Sequence, residues 1–177
     1  MSGNGCRGIV RRGTCFLLLC LIAFFSVSCR ADTVCAAEIV EAICEKETNL
    51  PGGRIYRSDA ECAENQADRK LCAALYGEGS FPPALSQCTQ YAFFLSERQH
   101  PCEFAVFFCH TSDEADAVAR MCLARREMLI AAWRGSDYEA YPIESCVRIR
   151  KAGGRYTVFF LVSADPDAAY RVAKSVG

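Results

Sequence analysis

Two stretches of this chain change side at every second residue, and no other feature restricts the fold as tightly. Thr89, Tyr91, Phe93 and Leu95 alternate with Cys88, Gln90, Ala92 and Phe94, and after residues 96–101 Phe104, Val106 and Phe108 alternate with Glu103, Ala105 and Phe107. A period of two sends successive side chains to opposite faces of a pleated strand, so the two blocks predict a β-hairpin. Thr111-Ser112-Asp113-Glu114 then forms a capping box, in which the threonine oxygen takes a free amide of the first turn and the glutamate reaches back. It opens a long helix with Val118, Cys122, Arg125, Leu129 and Trp133 on or near one face, closed by Gly135.

The pattern repeats. Val147 and Ile149 face one way and Cys146, Arg148 and Arg150 the other, which describes a strand with one wet face. Ala152-Gly153-Gly154 supplies the positive backbone angles of a tight turn, and 156–162 returns as the most apolar strand, expected at the centre of the sheet. Asp165-Pro166 starts a last helix with Ala169, Val172, Ala173 and Val176 inward. Upstream, Asp32 or Thr33 can cap a helix with Ala36, Val40, Ile43 and Cys44 on one side, stopped by Asn49-Leu50-Pro51-Gly52-Gly53. Ser58-Asp59-Ala60-Glu61 reads as another capping box, leading into a helix through Ala63, Ala67, Leu71, Ala74 and Leu75 that ends at Gly77. The fold class expected is α+β: a four-stranded antiparallel sheet from two β-hairpins, helices packed mainly on one face, preceded by one or two N-terminal helices.

The first thirty residues carry an address. Arg7, Arg11 and Arg12 stand in a segment without acids, residues 15–25 are unbroken apolar, and Ser26-Val27-Ser28-Cys29 follows. This is the three-part layout of a signal peptide, and its apolar run is about half of the roughly 20 residues that a membrane-spanning helix requires. Small residues directly before Cys29 resemble a lipobox with Ser26 in the usual leucine place, so Cys29 is the expected lipidation site. The domain reading is 1–28 signal peptide, 29–58 membrane-proximal helix and linker, and 59–177 a single α+β domain.

Charge narrows the partners. Of 20 basic residues the leader holds three, leaving 17 against 21 acidic ones after cleavage. A chain of that balance is not expected to bind nucleic acid, nor to reach a membrane by electrostatics; a lipid would have to supply the anchor. Of 13 cysteines, Cys6, Cys15 and Cys20 fall in the leader and Cys29 carries the lipid, so nine remain, an odd number that cannot pair completely within one chain. Most stand where a small hydrophobe would serve.

Few side chains suggest chemistry. His100, Cys102, Cys109 and His110 are the densest set of potential ligands, yet no C-x-x-C occurs and strand parity separates Cys102 and His110 from Cys109, so no metal and no cofactor are expected. A cysteine nucleophile would have only His100 or His110 as base, without a nucleophile elbow or redox motif beside it, and no catalytic residue is assigned. Arg125-Arg126 is the most distinctive pair. Arg125 falls on the apolar stripe of its helix, where an arginine either receives a ligand or pairs with a buried acid, for which Glu103 at the entry of an apolar strand is the candidate. Glu103, Arg125 and Arg126 are therefore the candidate ligand or ion-pair residues. Arg148, Arg150, Lys151 and Arg155 read as a charged strand edge.

From 102 to 176 the order of pieces resembles a known family. An acid entering an apolar strand (Glu103 to Phe108), a helix with arginines in its middle (Arg125-Arg126), Tyr138 and Tyr141-Pro142, a strand, Gly153-Gly154-Arg155-Tyr156, an apolar strand and Asp165 opening a helix are similar to the exported lipoproteins of clostridia and related gut bacteria known as domain of unknown function forty-three fifty-eight. The resemblance implies a lipidated N-terminus and no known activity. The functional expectation is an exported cell-envelope protein, lipid-anchored on the outer face of the cytoplasmic membrane, acting as a non-enzymatic binding or structural module for an unknown protein or small molecule. The alternatives are a small extracytoplasmic thiol enzyme or redox protein, or the accessory lipoprotein of a transporter.

Overall fold

Five strands, one more than the two hairpins supply, form a single antiparallel sheet in the order β1-β2-β3-β5-β4. A computed structural model of the protein describes residues 34–177; the expected signal peptide, the expected lipidation site Cys29 and the expected cap positions Asp32 and Thr33 lie outside the described residues. Helix α1 spans Ala36–Lys46, β1 Gly53–Arg57, α2 Arg69–Tyr76, β2 Gln90–Ser96, β3 Glu103–Cys109, α3 Ser112–Trp133, β4 Val147–Ala152, β5 Arg155–Val162 and α4 Pro166–Val176, with short 3-10 turns at Ala63–Asn65 and Pro83–Gln87. Both hairpins stand as expected, with Phe93 opposite Ala105 in β2/β3 and Ile149 opposite Val158 in β4/β5. Gly153 and Gly154 take φ of 58° and 79°, the left-handed values that the two-residue turn requires. Among the described residues no helix is long and apolar enough to cross a membrane.

The additional strand corrects the reading of residues 53–77. Gly53–Arg57 pairs along β2, Gly53 opposite Ser96 and Arg57 opposite Ala92. Ser58 does not cap a helix. Its hydroxyl accepts the Tyr91 amide at 3.0 Å and its own amide donates to the Tyr91 carbonyl at 2.9 Å, continuing the ladder. Asp59 is held at the same end of β1, accepting from Arg57 Nε at 3.2 Å and Gln90 Nε2 at 2.7 Å. The serine of the apparent capping box is thus consumed by the strand, and the helix starts ten residues later at Asp68, whose carboxylate accepts the Leu71 amide at 2.7 Å. Helix α1 is capped by Cys35, whose sulfur accepts the Glu38 amide at 3.4 Å while Glu38 Oε2 accepts the Cys35 amide at 2.8 Å. The segment assigned from sequence to a membrane-proximal helix and linker therefore contributes a helix and an edge strand to the same compact unit, Val34–Gly177.

Helices cover both faces of the sheet, not mainly one. Ala105, Phe107 and Phe160 pack under α2 and α3 with Val118 and Cys122; Phe104, Val106 and Phe159 pack under α1 and α4 with Ile39, Ile43 and Ala173. The reason is β3, the middle strand, in which all seven residues are buried: both of its alternating sets are apolar apart from Glu103, so each face needs a cover. Each fully buried phenylalanine contributes about 1.5–3 kcal/mol over its exposed state. Strand β5 is interior but not central. On the edge strand β4 it is Ile149 that is exposed, at 43%, while the arginines are half-buried against α4. Arg148 Nη2 donates to Asp167 Oδ1 at 3.2 Å, and Arg150 Nη1 donates to the Lys174 carbonyl at 3.3 Å and to that of Gly177, closing the C-terminus of α4. Arg155 lies 3.6 Å over the ring of Phe108.

Candidate functional site

Three elements bring one charged group each, or a hydroxyl, to a single point beneath α3. Glu103 is the first residue of β3 and 3% exposed. Arg125 descends from the middle of α3, and Tyr76 stands at the last position of α2 before Gly77 ends it. The guanidinium holds both carboxylate oxygens, Nη2 donating to Oε2 at 2.7 Å and Nε shared between Oε2 at 3.1 Å and Oε1 at 3.3 Å. Tyr76 Oη donates to Oε1 at 2.9 Å. Such forked, charge-assisted bonds are about twice as strong as neutral ones. Burial pushes the Tyr76 hydroxyl well above its usual pKa and the adjacent carboxylate pushes it further, so tyrosine stays a donor. Burial opposes the charge on Arg125, but Glu103 more than offsets it and the pKa of the guanidinium rises.

The sequence-derived candidates separate here. Glu103 and Arg125 meet; Arg126 does not join them. Arg126 points outward, where Nε donates to Glu127 at 3.0 Å and Nη1 to the Glu144 carbonyl at 3.3 Å. Tyr76 was missed, because the hydroxyl comes from a helix whose start was misplaced and 27 residues separate it from Glu103. With both carboxylate oxygens bonded and only 3% of the residue exposed, Glu103 is occupied by Arg125 and Tyr76 and offers little access to a substrate proton. The triad is a clamp that fastens α2 and α3 to the sheet. Two of its members, Tyr76 and Arg125, line a cleft of about 290 Å³ whose wall also includes Pro82, Pro83, Met121 and Met128.

The thiols are similarly held. Of the nine described cysteines, all free, Cys72, Cys102, Cys109, Cys122 and Cys146 are buried and only Cys62 is exposed. Burial pushes Cys44, Cys102 and Cys146 each up to about 12, with Glu47 adding to the rise at Cys44 and Cys102. Cys88 and Cys109 share a hydrogen bond that raises Cys88 and lowers Cys109, placing any thiolate on the member with no exposure. Among the described residues no three His, Cys, Asp or Glu side chains converge as metal ligands. His110 is exposed, and His100 Nδ1 accepts the Cys102 amide at 3.0 Å.

A second concave site lies at the C-terminal end of α3, beside the segment that joins it to β4. Residues after Gly135 turn back in short steps, Ser136 amide to the Trp133 carbonyl at 3.1 Å, Tyr141 amide to Tyr138 at 2.9 Å and Ile143 amide to Tyr141 at 2.8 Å. They stack four rings edge to face: Trp133 on Tyr138 at 5.3 Å, Tyr138 on His100 at 4.7 Å and His100 on Tyr141 at 5.4 Å. A cavity of about 150 Å³ opens beside them, lined by Trp133, Tyr141, Ile130, Ile143, Glu139, Glu144 and Arg134.

Comparison of the chain with protein-family models, with curated proteins and with solved structures returns no match.

Proposed function

We propose that this chain is an exported, lipid-anchored protein of the cell envelope, held at the outer face of the cytoplasmic membrane through Cys29, that acts as a non-enzymatic binding or structural module. The observation that carries the reading is the leader: arginines at 7, 11 and 12, an apolar run at 15–25 too short to span, and Ser26-Val27-Ser28 before Cys29. The similarity of 102–176 to exported clostridial lipoproteins supports the same address. The non-enzymatic part draws support from the candidate residues themselves. The one buried carboxylate–guanidinium pair among the described residues is mutually satisfied, and of the described thiols five are buried, Cys44 and Cys88 are raised in pKa, Cys35 caps a helix and Cys62 is exposed.

The anchor is tested by expressing the full chain and its Cys29→Ser variant with a labelled fatty acid and fractionating the cells. The intact chain takes up label and sediments with membranes; the variant is unlabelled and leaves the membrane fraction. Label on the variant, or unchanged sedimentation, overturns the anchoring reading. A rapid alkylation of any thiol near pH 6 would overturn the non-enzymatic one, because it would reveal a stabilised thiolate.

A further inference from the structure

The pocket at the end of α3 has a chemistry that the proposed function leaves open. Two of its walls are the aromatic side chains of Trp133 and Tyr141, both half-buried and held by the edge-to-face cluster with Tyr138 and His100. Two exposed carboxylates, Glu139 and Glu144, stand at the same cavity, and neither forms an ion pair among the described residues. Arg134 is the one basic side chain in the lining, so the formal lining charge is −1. No lysine or arginine lies over the ring of Trp133 or Tyr141, whereas four other rings of the described residues do carry one: Phe81, Tyr156, Phe108 and Tyr170. His100 adds no charge behind the rings at neutral pH, since burial holds its pKa below the usual histidine value.

The face of an aromatic ring carries negative potential and attracts a cation by about 0.5–2 kcal/mol, most for tryptophan, and unpaired carboxylates add to that attraction. A cavity of about 150 Å³ is of the size of one compact head group, not of an extended ligand. We propose that this pocket binds a small organic ammonium ion, with the Trp133 and Tyr141 rings against its alkyl or N–H surface and Glu139 and Glu144 facing its charge. The ammonium group can belong to a free solute or to a lipid head group; the chemistry recognised is the same. This assignment gives the binding module a ligand class and does not depend on whether Cys29 is lipidated.

Trp133 is the only tryptophan of the chain, so its emission reports directly on the pocket. The purified protein is titrated with tetramethylammonium and choline, and separately with the uncharged carbon isostere of choline, in which a tert-butyl group replaces trimethylammonium. The N-methyl resonance of choline is followed in parallel by saturation transfer. Saturable binding of both cations, with no matching response to the isostere, is the expected result. Glu139→Gln with Glu144→Gln, an exposed pair of changes whose fold is checked by circular dichroism, weakens binding about threefold to tenfold. Binding of phosphatidylcholine vesicles but not phosphatidylglycerol vesicles places the ammonium on a lipid, and binding of free choline alone places it on a solute. Silence in both the emission and the resonance, equal binding of the isostere, or unchanged affinity in the double variant overturns the proposal, whatever the fatty-acid label shows at Cys29.

Discussion

Glu103→Gln is the perturbation that most directly questions the role given to the clamp. The substitution keeps the length of the side chain but removes its charge, and it leaves Arg125, whose side chain is 15% exposed, facing an amide that can offer only one acceptor oxygen. Removing one partner of a buried ion pair costs about 3–5 kcal/mol because the other charge is left without compensation. Arg125 also borders the open cleft, which lets water reach part of the guanidinium, so the lower end of about 3 kcal/mol applies. For a unit of this size, residues 34–177, a loss of 1 kcal/mol lowers the unfolding midpoint by about 2–4 °C, and the variant should melt about 6–12 °C below the parent. The assay is urea and thermal denaturation followed by circular dichroism, run on Glu103→Gln, Arg125→Met and the two together. A double-mutant cycle isolates the pair. The coupling energy expected is about 2 kcal/mol or more, since the second substitution removes the orphaned charge that the first creates. A coupling below about 0.5 kcal/mol, the value of an ordinary exposed pair, would refute the claim that these groups compensate one another beneath α3.

Tyr76→Phe removes one hydrogen bond to a charged acceptor and should cost about 1.5–3 kcal/mol by the same denaturation assay, leaving the Glu103–Arg125 contacts in place. Cys35→Ser, at a cap position where a hydroxyl is a better acceptor than a thiol, should leave stability unchanged or raise it, whereas Cys35→Ala should lower it by about 0.5–1 kcal/mol; equal stability of both variants would show that the capping box does not form. In mass-spectrometric alkylation of the folded protein at pH 8, Cys62 should react first and Cys72, Cys102, Cys109, Cys122 and Cys146 only after denaturation. His100 has a folded pKa below its unfolded one because of burial. The unfolded chain therefore binds the proton first, and the stability this residue supplies is full above about pH 6.5 and is lost as pH falls through the folded value. The difference in melting temperature between the parent and His100→Gln should shrink as pH is lowered from 7.5 to 5, and a constant difference would contradict it.

The chain's own order of residues determined its two hairpins and three of its four helices, because alternation and caps are local signals. Thr111 and Glu114 form the capping box they suggest, and Asp165 accepts the Ala168 amide at 2.8 Å to start α4. The partnership of Glu103 with Arg125 was also legible, since an acid heading an apolar strand and an arginine on an apolar helical stripe each need a buried opposite charge. Local signals failed where their groups had a better partner elsewhere. Ser58 and Asp59 look like the start of a helix, but Tyr91 and Gln90, more than thirty residues away, take up their hydrogen-bonding capacity and draw Gly53–Arg57 into the sheet. A five-residue strand beginning with glycine has too little pattern to be seen without the edge of β2 that receives it. The two-sided cover of the sheet was written in β3, in which Phe104, Val106 and Phe108 and also Ala105, Phe107 and Cys109 are apolar, but only the packing of α1 and α4 opposite α2 and α3 gave that composition its meaning. Tertiary structure alone decided that Arg148 pairs with Asp167 in the first turn of α4 while Arg150 closes its C-terminus, and that Trp133, Tyr138, Tyr141 and His100 stack around one cavity. Periodicity specifies which face a residue takes within its own element; which distant element meets that face depends on closing loops of thirty residues and more, and on matching the shapes and charges that then confront each other.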